Sequence, residues 1–579
     1  MLLIQNMNSE TKNCQNCKKD FVIESDDFAF YEKMKVPAPT FCPDCRLQRR
    51  LSFRNERALY KRSCELCGKD TITMYDLSGG IKNYCGECWQ SDKWDPMQYG
   101  KEHDFSKSFF NQFSELIRKI PHRNLSVNFT TLMNSNFTNM NHALKNCYYL
   151  FNSDYDENCM YSEEVEHSKD CVDVTMIEGT ELAYESLNCN KCYQIYYSVD
   201  CENSHNIWFS KNLSGCSNCF GCMNLRNQQY HIFNEKVSKE EYDKKVGEYK
   251  LDSYANVQNL KKKISEFWLN FPHKYIHGVK NLNSSGDYIS NSKYVEKSFI
   301  ATESENCKHC MWLILGGNKE CFDFTQFGEN GHLVYESLIS GQNINNVIGG
   351  NVVVDGRNIS YSMHCVGNNS NLFGCFGLRN KQYCILNKQY TKEEYEALVP
   401  KIIAHMNEMP YVDKKGRIYK YGEFFPAEIS QFSYNETSAQ EFFPMKKESA
   451  EGNGFLWKDV KEKNYKITLK SQDLPDSILD VKEDITAQII ECEHRGQCNE
   501  QCATAFRVIS QELQFYKSQN LPLPRLCPNC RHYQRTKNRN PVKLFLRNCA
   551  KCNKEIETSY ASDRPEIVYC EQCYQQEVA

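Results

Sequence analysis

The chain has 579 residues, 40% of them hydrophobic and 25% charged, with 70 Lys+Arg against 74 Asp+Glu and a net charge of −4. That length exceeds what one hydrophobic core covers, so several domains are expected, and the near-neutral balance argues for no particular partner. Apolar runs such as Met311 to Leu315 fall far short of the roughly 18 residues a membrane helix needs. The opening MLLIQNMNSETKNC lacks the basic and apolar regions of a secretory signal, which reads as a cytoplasmic protein with reduced thiols.

Cysteine is abundant, at 32 residues. Its spacing decides between a disulfide scaffold and a metal protein. Near the N-terminus, Cys14-x2-Cys17 precedes Cys42-x2-Cys45, and Cys64-x2-Cys67 precedes Cys85-x2-Cys88. Each such turn offers two thiolates to one tetrahedral ion, and two turns fill its four positions, so these pairs predict closed, structural zinc sites. Residues 1–100 are read as a double zinc-ribbon module.

Arg46, Arg50 and Arg54 follow the second knuckle at i, i+4 and i+8. On a helix of treble-clef type they form one basic stripe, which suits phosphate contact and hence nucleic acid or a ribonucleoprotein. The other reading is a solvated helix face, or arginine stems packed on the neighbouring ribbon.

The middle is duplicated at an offset of 150 to 153 residues. CVDVT at Cys171 recurs as CFDFT at Cys321, YESL at Tyr184 recurs at Tyr335, and FGCMNLRNQQY recurs as FGCFGLRNKQY. Aromatic and β-branched clusters return every 11 or 12 residues, as at Tyr288, Phe299, Met311, Phe322 and Leu333. One strand and turn per half-coil predicts a parallel β-helix-like solenoid with coils of about 22 to 24 residues, against the runner-up of a β-sandwich. The copies span 125–237 and 278–390.

The knuckle-like cysteines inside the copies read as stacked core residues, because the second copy has Ser340, Asn369 and Leu372 where the first has Cys189, Cys216 and Cys219. The recurring Asp173 and Asp323 are weak candidates for a carbohydrate-active β-helix enzyme, and nothing stands out as catalytic or as a cofactor site beyond zinc. Helix signals, Ser238-x2-Glu241 and Thr391-x2-Glu394, open a helical connector at 238–277 and a helix with a mostly extended connector at 391–490.

The C-terminal module, 491–579, repeats the N-terminal one at an offset of 485 residues. Cys42, Cys45, Cys64, Cys67, Cys85 and Cys88 fall on Cys527, Cys530, Cys549, Cys552, Cys570 and Cys573, and Cys17 falls on Cys502. Cys14 falls on Asn499, so the fourth ligand there is assigned to Cys498, with Cys492 and His494 as rivals. Arg531, Arg535 and Arg539 repeat the arginine stripe.

The motif C-x2-C-x3-F followed by FY-x5-P-x-P-x2-CP-x-CR, together with YGEFFP and LPLPRLCPNCRHYQR, resembles a bacterial family with probable zinc-ribbon domains of treble-clef type. The resemblance covers most of the chain and implies zinc binding. The reading is therefore a mainly β, multidomain chain holding about four structural zinc ions, a non-enzymatic scaffold whose zinc modules contact nucleic acid or a ribonucleoprotein. Its alternatives are a β-helix enzyme targeted by zinc modules and an assembly factor that binds a protein partner on the solenoid.

Overall fold

A computed structural model of the chain describes residues 8–459 and 465–578. Its middle is a β-solenoid of about 21 turns over 132–385, with four-cysteine clusters near both ends of the chain. In the first copy one sheet stacks Asn139–His142, Phe151–Asp154, Glu163–Glu166, Thr175–Glu178 and Leu187–Asn190, and a second stacks strands from Lys169–Val172 to Gln229–Ile232. All these pairings are parallel, and partners lie twelve residues apart, as in Phe151↔Glu163 and Lys169↔Glu181.

One turn is thus about 12 residues and carries two four-residue strands, half the coil of 22 to 24 residues that the aromatic spacing suggested. The second copy is looser. Its partners are separated by twelve in Gly286↔Ser298, thirteen in Lys319↔His332 and fourteen in Met311↔Thr325, and its strands reach Asn318–Gly328 and Met363–Phe373.

So short a turn closes because the backbone bends to positive φ at every third residue. Asn188, Lys191, Gln194 and Tyr197 are the four such corners of one turn. Left-handed backbone is costly for most L-residues and mildest for Asn, which explains the richness of the corners in Asn. Stacked corner amides also bond along the axis, with Asn206 donating to Asn218 at 2.7 Å and Asn212 to Asn224 at 2.7 Å.

Between corners, every third side chain points inward. Cys189, Cys192, Ile195, Ser198 and Cys201 are all buried. The space admits small residues, and an inward hydroxyl also completes the backbone bonding at the bends. Ser162 donates to the carbonyl of Met160 at 2.7 Å and accepts from the amide of Val174, one turn on, at 3.0 Å. Cys171 substitutes in the same geometry, its thiol lying 3.2 Å from the Lys169 carbonyl. This accounts for the fifteen cysteines from Cys147 to Cys384, all buried and unbridged: a thiol is small, apolar and a weak donor.

The helices open where their caps indicate. Ser238 accepts from the amide of Glu241, and Thr391 and Glu394 make a reciprocal capping box. The first connector consists of two helices, Lys239–Glu248 and Tyr254–Trp268, and the second combines the helix Lys392–Glu408 with short 3-10 turns between 427 and 487.

The terminal modules cross over. Phe30, Tyr31 and Met34 of the N-terminal module pack in one core with Tyr335, Tyr361 and Phe373 of the second copy and Phe424 and Phe425 of the connector. Leu513, Phe515 and Tyr516 of the C-terminal module share a core with Tyr161, Tyr184 and Phe220 of the first copy and with Val257 and Ile264 of the helix Tyr254–Trp268.

A core reading of the inward cysteines has a direct consequence. Replacing Cys219, fully buried, by the Leu that occupies the matched position 372 is expected to leave metal content unchanged while costing about 1–3 kcal/mol through overpacking. Elemental analysis and denaturant unfolding of the variant check it, and loss of one metal ion per chain would contradict the core assignment.

Candidate metal centres

Four tetra-cysteine clusters are assembled: Cys14/Cys17/Cys42/Cys45, Cys64/Cys67/Cys85/Cys88, Cys492/Cys502/Cys527/Cys530 and Cys549/Cys552/Cys570/Cys573. In each, the second pair of thiols sits where a helix begins. Cys42 caps the helix Pro43–Leu51 and Cys85 caps Gly86–Gln90, while Cys527 caps Pro528–Thr536. In three clusters the first pair lies at the turn of a hairpin, such as Tyr60–Ser63 with Asp70–Thr73.

A tetrahedral ion with thiolates at about 2.3 Å separates its sulfurs by about 3.8 Å. Cys17 and Cys42 stand 3.7 Å apart, Cys67 and Cys85 3.9 Å, and Cys552 and Cys570 3.7 Å. The clusters can therefore hold metal ions, and four soft sulfur donors at this spacing suit zinc. Burial raises the thiols, but backbone amides of neighbouring residues pull Cys64 down to about 7 and Cys549 to about 6. Anionic sulfur is the form a metal takes.

One contact recurs in all four clusters: the first cysteine accepts the backbone N–H of the third. The distances are 3.2 Å from Cys42 to Cys14, 3.3 Å from Cys85 to Cys64, 3.3 Å from Cys570 to Cys549 and 3.3 Å from Cys527 to Cys492. That contact corrects the assignment of Cys498. Cys492 holds the position of Cys14, and Cys498 lies on an enlarged knuckle loop between Cys492 and Cys502. Its sulfur is 3.7 Å from Cys530, beside the cluster and grouped with His494 and Glu500.

The arginines also call for correction. Arg46, Arg50 and Arg54 are 1%, 0% and 1% exposed, and Arg531 and Arg535 are 5% and 4% exposed. They do not form a solvent-facing stripe. Arg46 and Arg50 reach Asp323 at 2.8 and 3.2 Å, Arg50 reaches Glu336 at 2.6 Å, and Arg49 bridges Glu336 at 3.0 Å and Glu423 at 3.1 Å. At the other end Arg531 and Arg535 reach Asp173 at 3.2 and 2.8 Å, and Arg531 also reaches Glu512 at 3.0 Å. Arg54 pairs with Glu56, and Arg539 with Glu441.

The helices Pro43–Leu51 and Pro528–Thr536 thus each press their arginines onto a solenoid copy, and the recurrent Asp is their anchor. Asp173 and Asp323 are both fully buried, at left-handed corners of matched turns. Burial pushes the Asp173 carboxyl up against the pull of Arg531 and Arg535, whereas at Asp323 the pull of Arg46 and Arg50 prevails over burial and holds the carboxyl low. Carboxylates so enclosed are also poorly placed as glycosidic acid and base, which must meet a sugar and a water.

A residue outside the sequence-based reading joins the two ends. Arg57 of the N-terminal module donates to Glu163 of the first copy at 3.1 Å, and His532 of the C-terminal module lies 3.4 Å from the same carboxylate and 2.9 Å from Glu441. Nothing in the spacing of these residues marks them, because each belongs to a different module.

Comparison with protein-family models, with curated proteins and with solved structures finds no match to this chain. The residues themselves carry the functional reading.

Removing one member of a buried ion pair leaves the other charge uncompensated, at a cost of about 3–5 kcal/mol. Asp173→Asn and Asp323→Asn are each expected to destabilise the protein by that order, while Glu157→Gln, which breaks the exposed pair with Lys145, should cost under about 1 kcal/mol. Denaturant midpoints compare the three variants. Equal small effects would contradict docking through these aspartates.

Proposed function

We propose that this protein is a non-enzymatic zinc-binding scaffold in which four structural zinc ions hold the terminal modules in shape so that they clamp the two solenoid copies. The observation that carries the reading is the crossed, duplicated docking of arginine helices on Asp173 and Asp323. Zinc closes each knuckle on the first turn of its helix, which fixes the direction in which the arginines leave. The ions are structural in this reading because four protein thiolates leave no position for water or substrate.

A scaffold of this build offers a partner the groove between the copies, with a volume of about 1020 Å³ and walls that include Asn152, Lys191, Tyr288, Trp312 and Tyr574. Mixed amide, charged and aromatic lining suits a protein partner better than a uniformly basic channel would suit nucleic acid. Contact with nucleic acid through the six arginines would require them to leave their ion pairs.

Three measurements test this. Purified protein is expected to carry at least four zinc ions per chain by elemental analysis, and stripping them with a chelator should make the terminal modules susceptible to limited proteolysis while the solenoid core resists. Metal-free protein that resists proteolysis like the parent would count against a clamp. Replacing Arg46, Arg50, Arg54, Arg531, Arg535 and Arg539 by Gln should also lower the unfolding midpoint steeply. A variant that stays folded and loses a salt-dependent affinity for nucleic acid would support the phosphate-contact reading instead.

A further inference from the structure

The enlarged knuckle loop of the third cluster brings a second set of donors against the first. His494, Cys498, Glu500 and Cys530 offer four ligand atoms that all lie within 4.8 Å of one another. Cys530 belongs to both sets. We propose that this loop builds a second zinc site, of donor set S2NO, which shares the Cys530 thiolate with the four-cysteine ion to form a bridged binuclear centre. The inference rests on the zinc-binding reading given above.

Three observations carry it. The sulfurs of Cys498 and Cys530 are 3.7 Å apart, near the roughly 3.8 Å of two thiolates on one tetrahedral zinc. Nδ1 of His494 and Oε2 of Glu500 are 3.2 Å apart, near the roughly 3.4 Å that nitrogen and oxygen donors at about 2.1 Å would adopt. Both of those atoms are buried without a hydrogen-bond partner, although Glu500 as a residue is only 8% exposed. Two buried polar atoms that face each other outside hydrogen-bond geometry are satisfied by a cation between them.

The other carboxylate oxygen of Glu500 is already held, by Lys537 at 2.5 Å, which leaves Oε2 free to turn toward the loop. Thiolate, imidazole and carboxylate together are donors of borderline softness, which suits zinc over magnesium or calcium. None of the other three clusters has an equivalent in its knuckle, because Cys14 and Cys17, Cys64 and Cys67, and Cys549 and Cys552 are separated by only two residues.

The test is zinc stoichiometry of the full-length protein and of two variants, His494→Ala and Glu500→Gln, purified alike with zinc and freed of loosely bound metal by gel filtration. Each variant is expected to carry one zinc ion fewer than the parent, at an unchanged unfolding midpoint of the solenoid. Variants that carry as many ions as the parent would overturn the second site. Loss of two ions would overturn its independence, since the four-cysteine ion would then have left with it. A parent with fewer than four zinc ions would instead count against the zinc scaffold itself, so the two failures are distinguishable.

Discussion

The structure depends on a charge arrangement that is unusual for its burial. Two clusters of arginines, one from each end of the chain, are driven into the protein and neutralised there by carboxylates: Asp323 and Glu336 of the second solenoid copy for the N-terminal module, and Asp173 of the first copy together with the C-terminal module's own Glu512 for the other. Bringing such groups out of water costs several kcal/mol per ion, which the attraction offsets only with close geometry on both sides. Fixed placement of the helices that carry the arginines is thus a precondition of the fold. In the proposed reading, metal ions at the four-cysteine clusters supply it, since the thiols of each cluster bring a knuckle against the first turn of a helix.

The solenoid contributes the complementary rigidity. A 12-residue turn with four left-handed corners has little freedom, and stacked turns hold Asp173 and Asp323 at equivalent corners. Aromatic packing around the ion pairs then excludes water. Phe30 stacks on Phe322 at 3.9 Å beside Asp323, while Tyr161 lies 4.6 Å under the Arg531 guanidinium beside Asp173. A low local dielectric strengthens the pairs and also makes any unpaired member costly, which is why the docking is specific.

Much of this was legible in the sequence. Paired knuckles, the offset of 485 residues and the duplicated middle are local or self-similar signals, and they led to thiol clusters and a β-solenoid. The coil length was not legible from aromatic spacing. Aromatics mark outer faces once per turn, while the inward period of three is carried by Ser, Cys and Val, which read as ordinary small residues. Cys492 stood only as a rival to Cys498, because nine residues between thiols no longer look like a knuckle. The arginine triplets and the recurrent aspartate were both visible, yet their pairing was not, since a repeat shows that positions are equivalent and not which of them touch. Arg57, Glu163, His532 and Glu441 repeat nowhere, so their meeting is a property of the tertiary structure alone.

The crossed docking is most directly tested by cutting the chain between its halves. A protease site inserted between the helices Lys239–Glu248 and Tyr254–Trp268 would separate the N-terminal module and first copy from the second copy and C-terminal module. After cleavage with metal bound, the account requires the two pieces to elute together at the mass of the intact chain, since each holds the clamp for the other, and to separate once the metal is chelated. Pieces that part while the metal is still bound would contradict it.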